Sequence, residues 1–332
     1  MKLSVVIPAY NVDSWIEQSV TNLEIAISNA NLVAEIIVVN DGSSDETLAV
    51  LKRVKAQRLY PLTIIDQNNQ GRFLARWEGL QAAKYNKVLF IDARVRILPN
   101  SLTHIAKQIP MSSSEVWSGD CITEPTSGIV GHFWEVPTSL FWHRYTAKRK
   151  TVTFSIEDFD RYPKGTGCLL GEKEIFISAF KNAWPENEAK LVSDDTKILR
   201  EIARNHSIRI DPHFSAIYFP RTKLIPFLQH AFERGSLFVD SYWGTSTFRN
   251  VFLLVMMTLP VLALLLLFSW PFLTLTFCAV TLLAIVIRAK LNGASNKSIR
   301  SFVTLVVPFF GCFWSGLVRG AILQFERKRV KQ

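Results

Sequence analysis

Two apolar stretches near the end of the chain constrain its fold most, because neither is suited to a surface in water. Residues 252–268 and 272–287 contain no charged side chain. Each approaches the ~20 residues that a helix needs to cross the hydrocarbon core of a bilayer. Both are apolar on every face, whereas a helix of a soluble protein keeps a polar side. Residues 250–288 are therefore predicted to form a transmembrane helical hairpin that turns at residues 269–271.

The charges beside this hairpin predict its orientation. Arg249 precedes it, and Arg288, Lys290, Lys297 and Arg300 follow it. Since basic residues are retained on the cytoplasmic side, both ends of the hairpin should face the cytoplasm. We therefore expect a multi-pass protein of the cell inner (plasma) membrane whose N-terminal part is cytoplasmic.

A third apolar segment and a helix upstream complete a predicted membrane region at residues 249–332. Residues 302–323 are interrupted by Pro308, Gly311 and Gly316 and are followed by a basic tail. A full span would place that tail outside, against the charge bias, whereas a re-entrant segment would keep it inside. Residues 221–248 interleave basic and aromatic side chains, which favours an amphipathic helix on the membrane surface over a soluble core helix.

The rest of the chain has the pattern of a globular domain, predicted to cover residues 1–220. Short β-branched runs at residues 3–7, 35–39, 62–66 and 87–92 alternate with helical patterns. This alternation predicts an α/β fold with a mostly parallel sheet. Residues 1–100 form its clearer half, and residues 101–220 have a looser pattern, which a second ligand-binding half or an irregular α/β extension would show.

Composition and net charge restrict the classes of molecule that the chain is expected to bind. The formal net charge is +10, but the sequence has no helix-turn-helix pattern or zinc-finger spacing, so nucleic acid is not expected. Anionic lipid and phosphorylated substrates remain, as does a generally basic surface with no ligand. The four cysteines are far apart and without metal-ligand spacing, which predicts neither a disulfide framework nor a zinc site.

Three polar clusters follow predicted strands, at residues 9–11, 40–42 and 92–94. In open α/β sheets, ligands bind outside the carboxyl ends of the strands. Asp41 is suited to accept from a uracil imide or a ribose hydroxyl, although with Asp45 it could instead cap a helix. Asp92 is suited to a divalent cation on a diphosphate, or to a turn.

Four segments in order carry a resemblance to a known family: residues 4–11 (SVVIPAYN), 35–47 (EIIVVNDGSSDET), 69–76 (NQGRFLAR) and 90–92 (FID). Together they resemble the inverting family 2 glycosyltransferases of the GT-A fold, a Rossmann-like nucleotide-sugar-binding domain, in a membrane-anchored, bacterial-type form. The resemblance implies a nucleotide-sugar donor and Mg²⁺ or Mn²⁺ as cofactor. It implies that the following residues bind the nucleotide: Pro8, Ala9, Tyr10, Asn11, Asp41, Arg76, Asp92 and Arg94.

One position departs from the family pattern. Asp92 matches the first acid of the DxD metal motif, but Arg94 stands where the second acid is expected. Either Asp92 alone still binds the metal ion, or Arg94 partly replaces the ion by a bidentate contact to phosphate.

The second half offers candidate acceptor-side residues. Asp194 and Asp195 resemble the family's acidic pair, which implies Asp195 as general base and Asp194 as a supporting acid; the alternative is an N-capping turn. Residues 165–167 resemble the stretch beneath the acceptor, or form an ordinary turn. The acceptor or phosphate residues predicted here are Gly165, Thr166, Gly167, His230 and Arg234, the last two with a membrane-surface role as the alternative.

The sequence thus predicts transfer of a sugar from a UDP- or GDP-sugar to a lipid-linked saccharide or polyprenyl phosphate at the cytoplasmic membrane face. Such a reaction belongs to cell-envelope polysaccharide or glycolipid synthesis. The alternative is a non-catalytic membrane scaffold that retains the nucleotide-binding fold.

Overall fold

The computed structural model of the 332-residue chain describes residues 1–112, 114–185, 192–193 and 195–330, with side chains up to residue 326. These residues divide into two compact units. The first comprises Met1–Glu124 and Arg149–Phe219, and the second comprises Pro125–Lys148 and the chain from Pro220 onward. The strands are β1 (Lys2–Ala9), β2 (Val33–Asp41), β3 (Leu62–Gln67), β4 (Lys87–Ile91), β5 (Val95–Ile97), β6 (Val116–Thr123), β7 (Val152–Phe154), β8 (Cys168–Glu172) and β9 (Ile208–Tyr218).

The helices of the described residues follow the same chain order. Two short 3₁₀ turns, Ile109–Met111 and Phe159–Arg161, accompany them. The helices are α1 (Asp13–Asn29), α2 (Thr47–Lys55), α3 (Arg72–Ala82), α4 (Ser101–Gln108), α5 (Glu135–Phe141), α6 (His143–Thr146), α7 (Lys173–Asn182), α8 (Thr196–Asn205), α9 (Leu224–Tyr242), α10 (Thr247–Ser269), α11 (Pro271–Leu291) and α12 (Asn296–Val330).

The first unit is built on one mixed sheet with strand order β3-β2-β1-β4-β8-β6-β9-β5 over the described residues, and β7 pairs with β9. The first four strands are parallel, as the sequence predicts, and the chain reverses direction in β8. Because β1 lies between β2 and β4, the strand order switches there, which is where α/β sheets bind ligands. The carboxyl ends of β1, β2 and β4 therefore form one polar edge.

The apolar runs of the sequence become the core of this sheet. Val5, Ile7, Ile36 and Val38 are fully buried, and so are the α1 residues Ile16, Val20, Leu23, Ala26 and Ile27. These strands are apolar at successive positions because helices cover both faces of the sheet. The core fixes the strand ends, and so positions the polar residues that follow them.

The second unit is helical. Within it, Phe133 packs on Phe227, Phe302 and Phe309, with ring centroids 4.4–5.3 Å away. These aromatic contacts join residues 125–148 to the C-terminal helices, although the sequence prediction places that segment inside the 1–220 domain. The segment lacks a hydrophobic periodicity that would separate it from its neighbours, so its partners are decided by tertiary packing.

Helices α9 and α12 lie side by side and run parallel. Phe227 contacts Phe309 near the start of α9, and Asp240 accepts a hydrogen bond of 3.3 Å from Gln324 near its end. Between these contacts the backbones touch: a Cβ on Gly316 would lie 2.0 Å from the carbonyl oxygen of Phe232. Glycine is required at that position because any side chain would separate the helices.

Among the described residues, three helices are long and apolar enough to cross a membrane, namely α10, α11 and α12. Only 6% of the most apolar stretch of α10 or α11 is buried within the protein, against 28% for α12. The predicted hairpin is present as α10 and α11. The third segment is one continuous helix through Pro308, so a break in the helix does not occur there.

Candidate active site

Residues 8–11 follow from the end of β1 and meet the loop after β2. Asn11 has a positive φ of 51°, which asparagine tolerates better than most residues. Its backbone N–H donates to Ser43 Oγ at 3.0 Å, and its Oδ1 accepts from the N–H of Ser44 at 2.8 Å. Pro8 and Ala9 continue the strand, while Tyr10 is exposed. The predicted base-binding stretch is thus locked to the loop that carries Asp41.

Asp41 is buried, and its carboxylate organises the loop before α3. Oδ1 accepts from Gln67 Nε2 and from the backbone N–H of Gln70, and Oδ2 accepts from the N–H of Gly71, all at 2.8 Å. The carboxylate does not cap α2; Asp45 does so, accepting from the N–H of Thr47 at 3.0 Å. The helix-capping alternative therefore holds for Asp45 and not for Asp41.

The turn after Asp41 requires glycine. Gly42 has a φ of 67°, and a Cβ there would lie 2.5 Å from the backbone nitrogen of Asn69. Only glycine combines that conformation with so close an approach. The loop after β2, which carries GSSD, is therefore in contact with the loop after β3, which carries NQGR. This contact allows the two segments to bind the same ligand.

Arg76 and Asp92 form an ion pair at the end of β4. Arg76 Nη2 lies 2.5 Å from Asp92 Oδ1, and the arginine side chain is only 1% exposed, against 31% for the aspartate. A guanidinium withdrawn from water in this way must be balanced by nearby carboxylates. Arg76 belongs to α3, so the matched segment NQGRFLAR brings a buried positive charge next to Asp92.

Residues 165–167 connect Asp92 to Asp195. The backbone oxygen of Gly167 accepts from the N–H of Asp92 at 3.0 Å, and a Cβ on Gly167 would lie 3.0 Å from Asp92 Oδ2. On the other side, Thr166 donates to Asp195 Oδ1 from its backbone N–H at 3.0 Å and from its hydroxyl. Gly165 precedes them in the open part of the turn. The stretch is more than an ordinary turn, because it brings the two acids together.

Asp195 lies at the start of α8 but does not cap it through its side chain. Burial opposes ionisation of this carboxyl, but Arg76, Arg72 and the hydrogen bonds from Thr166 outweigh it and lower its pKa from the ordinary value of 3.8. Asp195 is therefore a carboxylate at neutral pH. It is held within the field of the same arginine that pairs with Asp92.

Arg94 contacts residues outside the cluster of Asp92, Thr166 and Asp195. Its Nε donates to the backbone oxygen of Phe219 at 3.0 Å, and its guanidinium carbon lies 5.1 Å from the ring centroid of Trp15. A phosphate contact from Arg94 stays a prediction. The side chain already has a structural role in fastening the end of β9 to the DxD turn.

Three predicted residues are not among the contacts described above. Asp194 falls outside the described residues. His230 and Arg234 belong to α9 in the second unit, where Arg234 Nε donates to His230 Nε2 at 3.0 Å and its guanidinium covers the ring of Trp134. The two are one turn apart on the helix and form one basic site there.

The donor set at Asp92 fits a divalent cation. Oδ1 is taken by Arg76, and Oδ2 accepts no hydrogen bond from the described residues. Mg²⁺ is commonly held by one or two carboxylates completed by substrate phosphates and water, so a single acid is a sufficient protein ligand. Asp92 is the residue that would hold the ion.

Sequence reasoning missed Arg72, the second arginine whose charge acts on Asp195, and the link from Thr166 to that acid. Arg72 directly follows Gly71 in a matched segment, so its position was readable, but its partner lies more than a hundred residues away. The Thr166 link depends on how β8 folds back along β4, which no local pattern encodes.

Comparison with known proteins identifies the first part of the chain. Residues 4–114 match the family model described as glycosyl transferase family 2. An uncharacterized glycosyltransferase of Synechocystis, sll0501, is 32% identical over 191 residues, which cover 53% of this chain and 60% of that protein. An undecaprenyl-phosphate 4-deoxy-4-formamido-L-arabinose transferase of Pseudomonas savastanoi is 27% identical, over 31% of each chain.

Solved structures agree on the fold. TarS 1-349 of S. aureus in complex with UDP-GlcNAc superposes with a TM-score of 0.51 at 18% identity, covering 76% of each chain. The mannosyltransferase PcManGT of Pyrobaculum calidifontis, in complex with GDP-Man and Mn²⁺, gives a TM-score of 0.51 at 15% identity over 96% of this chain and 86% of its own. The matches to the first three curated relatives span 27%, 16% and 31% of those proteins' lengths.

Proposed function

Because the chain belongs to the family 2 glycosyltransferases through a domain of GT-A fold, we propose that it transfers a sugar, with inversion, from a UDP- or GDP-sugar to a lipid-linked acceptor. The observation that carries this proposal is the cluster of Asp92, Arg76, Thr166 and Asp195. It combines a donor-side acid, a buried counter-charge and an ionised acid on the acceptor side. The donor class follows what TarS and PcManGT bind.

In the proposed reaction the acceptor oxygen attacks the anomeric carbon while its proton passes to Asp195 Oδ2. The bond from that carbon to the diphosphate oxygen breaks, and the nucleoside diphosphate leaves with the electron pair. Thr166 holds Oδ1 and so fixes the direction of the other oxygen. A divalent cation on Asp92 would supply charge neutralisation for the leaving diphosphate. Arg76 lowers the pKa of Asp195 and so keeps that acid ionised.

The nucleotide pocket of the proposal uses the edge formed by residues 8–11, Asp41 and Gly71. Asp41 holds the Gln70–Gly71 backbone in place, and its remaining lone pairs are directed to the base or ribose. Tyr10 is exposed beside it and offers a ring face to a base. In this proposal Asp41 both orders the loop and contacts the nucleotide.

The acceptor is proposed to be a lipid-linked saccharide, with polyprenyl phosphate as the second candidate. A phosphate acceptor is already anionic and needs little help from a base, whereas a sugar hydroxyl needs a base. The presence of an oriented, ionised Asp195 favours the hydroxyl. The undecaprenyl-phosphate transferase among the relatives supports a lipid carrier of polyprenyl type.

The second unit supports a position of α9 at the membrane surface in this proposal. Helix α9 exposes Gln229, Glu233 and Arg234, and a charged side chain near the bilayer centre costs about 2.5–3.5 kcal/mol on insertion scales. Helix α9 therefore lies at the membrane surface. Since α12 runs parallel to it in contact from Phe309 to Gln324, that part of α12 lies at the same depth.

In this proposal only α10 and α11 cross the membrane and the basic tail is cytoplasmic, in agreement with the charge bias. The test is a single cysteine at Glu326 in a chain whose four native cysteines are serine, labelled with an impermeant maleimide. Labelling in inside-out vesicles only is expected. Labelling in right-side-out vesicles only would overturn the surface position of α12.

The function itself is tested with the full chain in lipid nanodiscs, given labelled UDP- and GDP-sugars and a lipid extract. The expected result is transfer of label to the organic phase, with inverted anomeric configuration. After mild acid, a released oligosaccharide identifies a lipid-linked saccharide acceptor, and a released monosaccharide identifies polyprenyl phosphate. Donor binding without any turnover across the panel would instead favour the scaffold, which Arg94 in the metal motif makes the second candidate.

A further inference from the structure

A cluster of two histidines and one aspartate lies in the first unit, away from the polar edge. It consists of His104 on α4 and of Asp211 and His213 on β9. The ligand atoms of all three residues lie within 4.8 Å of one another. Since β9 runs antiparallel to β5, with Tyr218 opposite Val95, the residues near Asp211 lie toward the end of β9 that is remote from Asp92.

A bulge in β9 builds one side of the cluster. The register with β6 shifts so that Gly119 faces Asp211 while Asp120 faces Ser215. Within the bulge, Asp211 Oδ1 accepts from the backbone N–H of His213 at 2.9 Å, and the two side chains project together. Bulges commonly redirect side chains toward functional positions.

Helix α4 supplies the third member. Ser101 at its start is buried and exchanges hydrogen bonds with Ser215, donating to its backbone oxygen at 2.7 Å and accepting from its N–H at 3.1 Å. His104 lies one turn further along the helix and faces the bulge. Its Nε2 is 3.2 Å from Asp211 Oδ2, is shielded from water and makes no hydrogen bond among the described residues.

The three side chains are close enough together to share one metal ion. The nitrogens lie 3.2 and 3.1 Å from the two oxygens of Asp211, and zinc ligands at their usual bond lengths are roughly 3.3 Å apart. The imidazole rings of His104 and His213 stack with their centroids 4.9 Å apart. Neutral imidazole is the form in which histidine binds metal.

The carboxylate is prepared for the same role. Thr151 donates to Asp211 Oδ2 at 3.2 Å, as outer-shell partners of metal-binding carboxylates do. The Asp211 side chain itself is only 4% exposed. His213 is 75% exposed, so the remaining coordination position faces solvent.

We infer that His104, Asp211 and His213 form a binding site for a divalent transition-metal cation of the Zn²⁺ class, separate from the donor site. Two imidazoles and one carboxylate are the donors that zinc prefers, whereas Mg²⁺ and Ca²⁺ prefer oxygen alone. The bound ion would fasten α4 to the bulge of β9 and keep one position for water. The sequence gives no sign of it, because the histidines are 109 positions apart.

The test measures Zn²⁺ binding to the full chain in detergent, purified without added histidines, by competition with a chromophoric chelator. Asp92→Asn removes the donor-side acid and serves as the background. In that background one Zn²⁺ per chain is expected, and His104→Gln or His213→Gln should each weaken binding by more than about 10-fold. The matched control is His206→Gln, which removes a surface histidine paired with Glu115 and should leave binding unchanged.

A second measurement guards against a folding defect. Zn²⁺ should raise the midpoint of thermal unfolding of the parent protein but not that of the His213→Gln protein, while the two midpoints agree in the presence of chelator. His213 is exposed, so its replacement leaves the core intact. Equal zinc affinity in parent and both variants, or no binding at micromolar free Zn²⁺, would overturn the site.

Discussion

The two units of the chain treat buried and exposed surface in opposite ways. In the α/β unit, an arginine is almost fully buried and balanced by acids, while apolar side chains are withdrawn into the sheet. In the helical unit, rings and leucines of α10 and α11 are exposed. The difference shows that exposure has no fixed meaning along this chain, because α10 and α11 are long and apolar enough to cross a membrane, where exposed apolar side chains would meet lipid.

The largest effect on stability is expected at Gly316, where the backbones of α9 and α12 touch. Gly316→Ala would put a Cβ 2.0 Å from the carbonyl oxygen of Phe232, forcing α9 and α12 apart. The free energy of unfolding should fall by more than about 4 kcal/mol, the range of severe overpacking. Gly311→Ala on the same helix is the control, since its Cβ would meet nothing within 4 Å. Thermal unfolding in detergent compares the two; equal midpoints would contradict the helix contact.

The next effect tests the buried charge of the α/β unit. Arg76→Met removes the partner of Asp92 and the main positive charge near Asp195, which should cost about 3–5 kcal/mol because carboxylates are left unbalanced. Arg53→Met is the control: it breaks an ion pair of 3.0 Å with Glu17 whose side chains are 62% and 50% exposed, worth about 0–1 kcal/mol. Chemical unfolding should separate them; similar losses would show that burial does not matter here.

A matched pair of substitutions compares the two solvents directly. Phe277 on α11 is 70% exposed and Leu59 in the α/β unit is 79% exposed. Phe277→Lys should cost about 2.5–3.5 kcal/mol of membrane insertion, whereas Leu59→Lys should change stability by no more than about 0.5 kcal/mol. Carbonate extraction of membranes measures the first and thermal unfolding the second. Full retention of Phe277→Lys in membranes would contradict a lipid-facing α11.

The smallest effect is a pH dependence that should be nearly flat. The pKa of Asp195 is below 3.8 in the folded chain, so the base stays ionised at every pH above that value. Its contribution to stability is therefore present above about pH 4 and lost as the pH falls through the folded pKa. Over pH 5–8, kcat/KM should show no acid limb from Asp195. In Arg76→Met the pKa rises, and an acid limb should move toward neutral pH.

The sequence predicted the parts of the molecule that local patterns encode. The strand ends that carry Asp41 and Asp92, the hairpin of α10 and α11, and the helix α9 all follow from apolar periodicity and turn residues. The resemblance to the family was predicted from four short segments, and the family model matches residues 4–114.

The rest depended on contacts between distant segments. Thr166 meets Asp195 only because β8 returns beside β4, and residues 125–148 join the helices through Phe133. The cluster of His104, Asp211 and His213 depends on a bulge in β9 that no local residue pattern predicts. Long-range packing of this kind outweighs local preference, so it appears only in the folded chain.

The most direct test of the account is turnover by Asp195→Asn with donor binding measured on the same sample. The substitution keeps the shape of the side chain but removes the proton acceptor. Loss of general-base catalysis lowers the rate by about 10²–10⁴-fold. We predict that kcat falls by that factor while the dissociation constant of the nucleotide-sugar changes less than about threefold, since Asp92 and Arg76 remain. Near-normal turnover with intact binding would contradict Asp195 as the base.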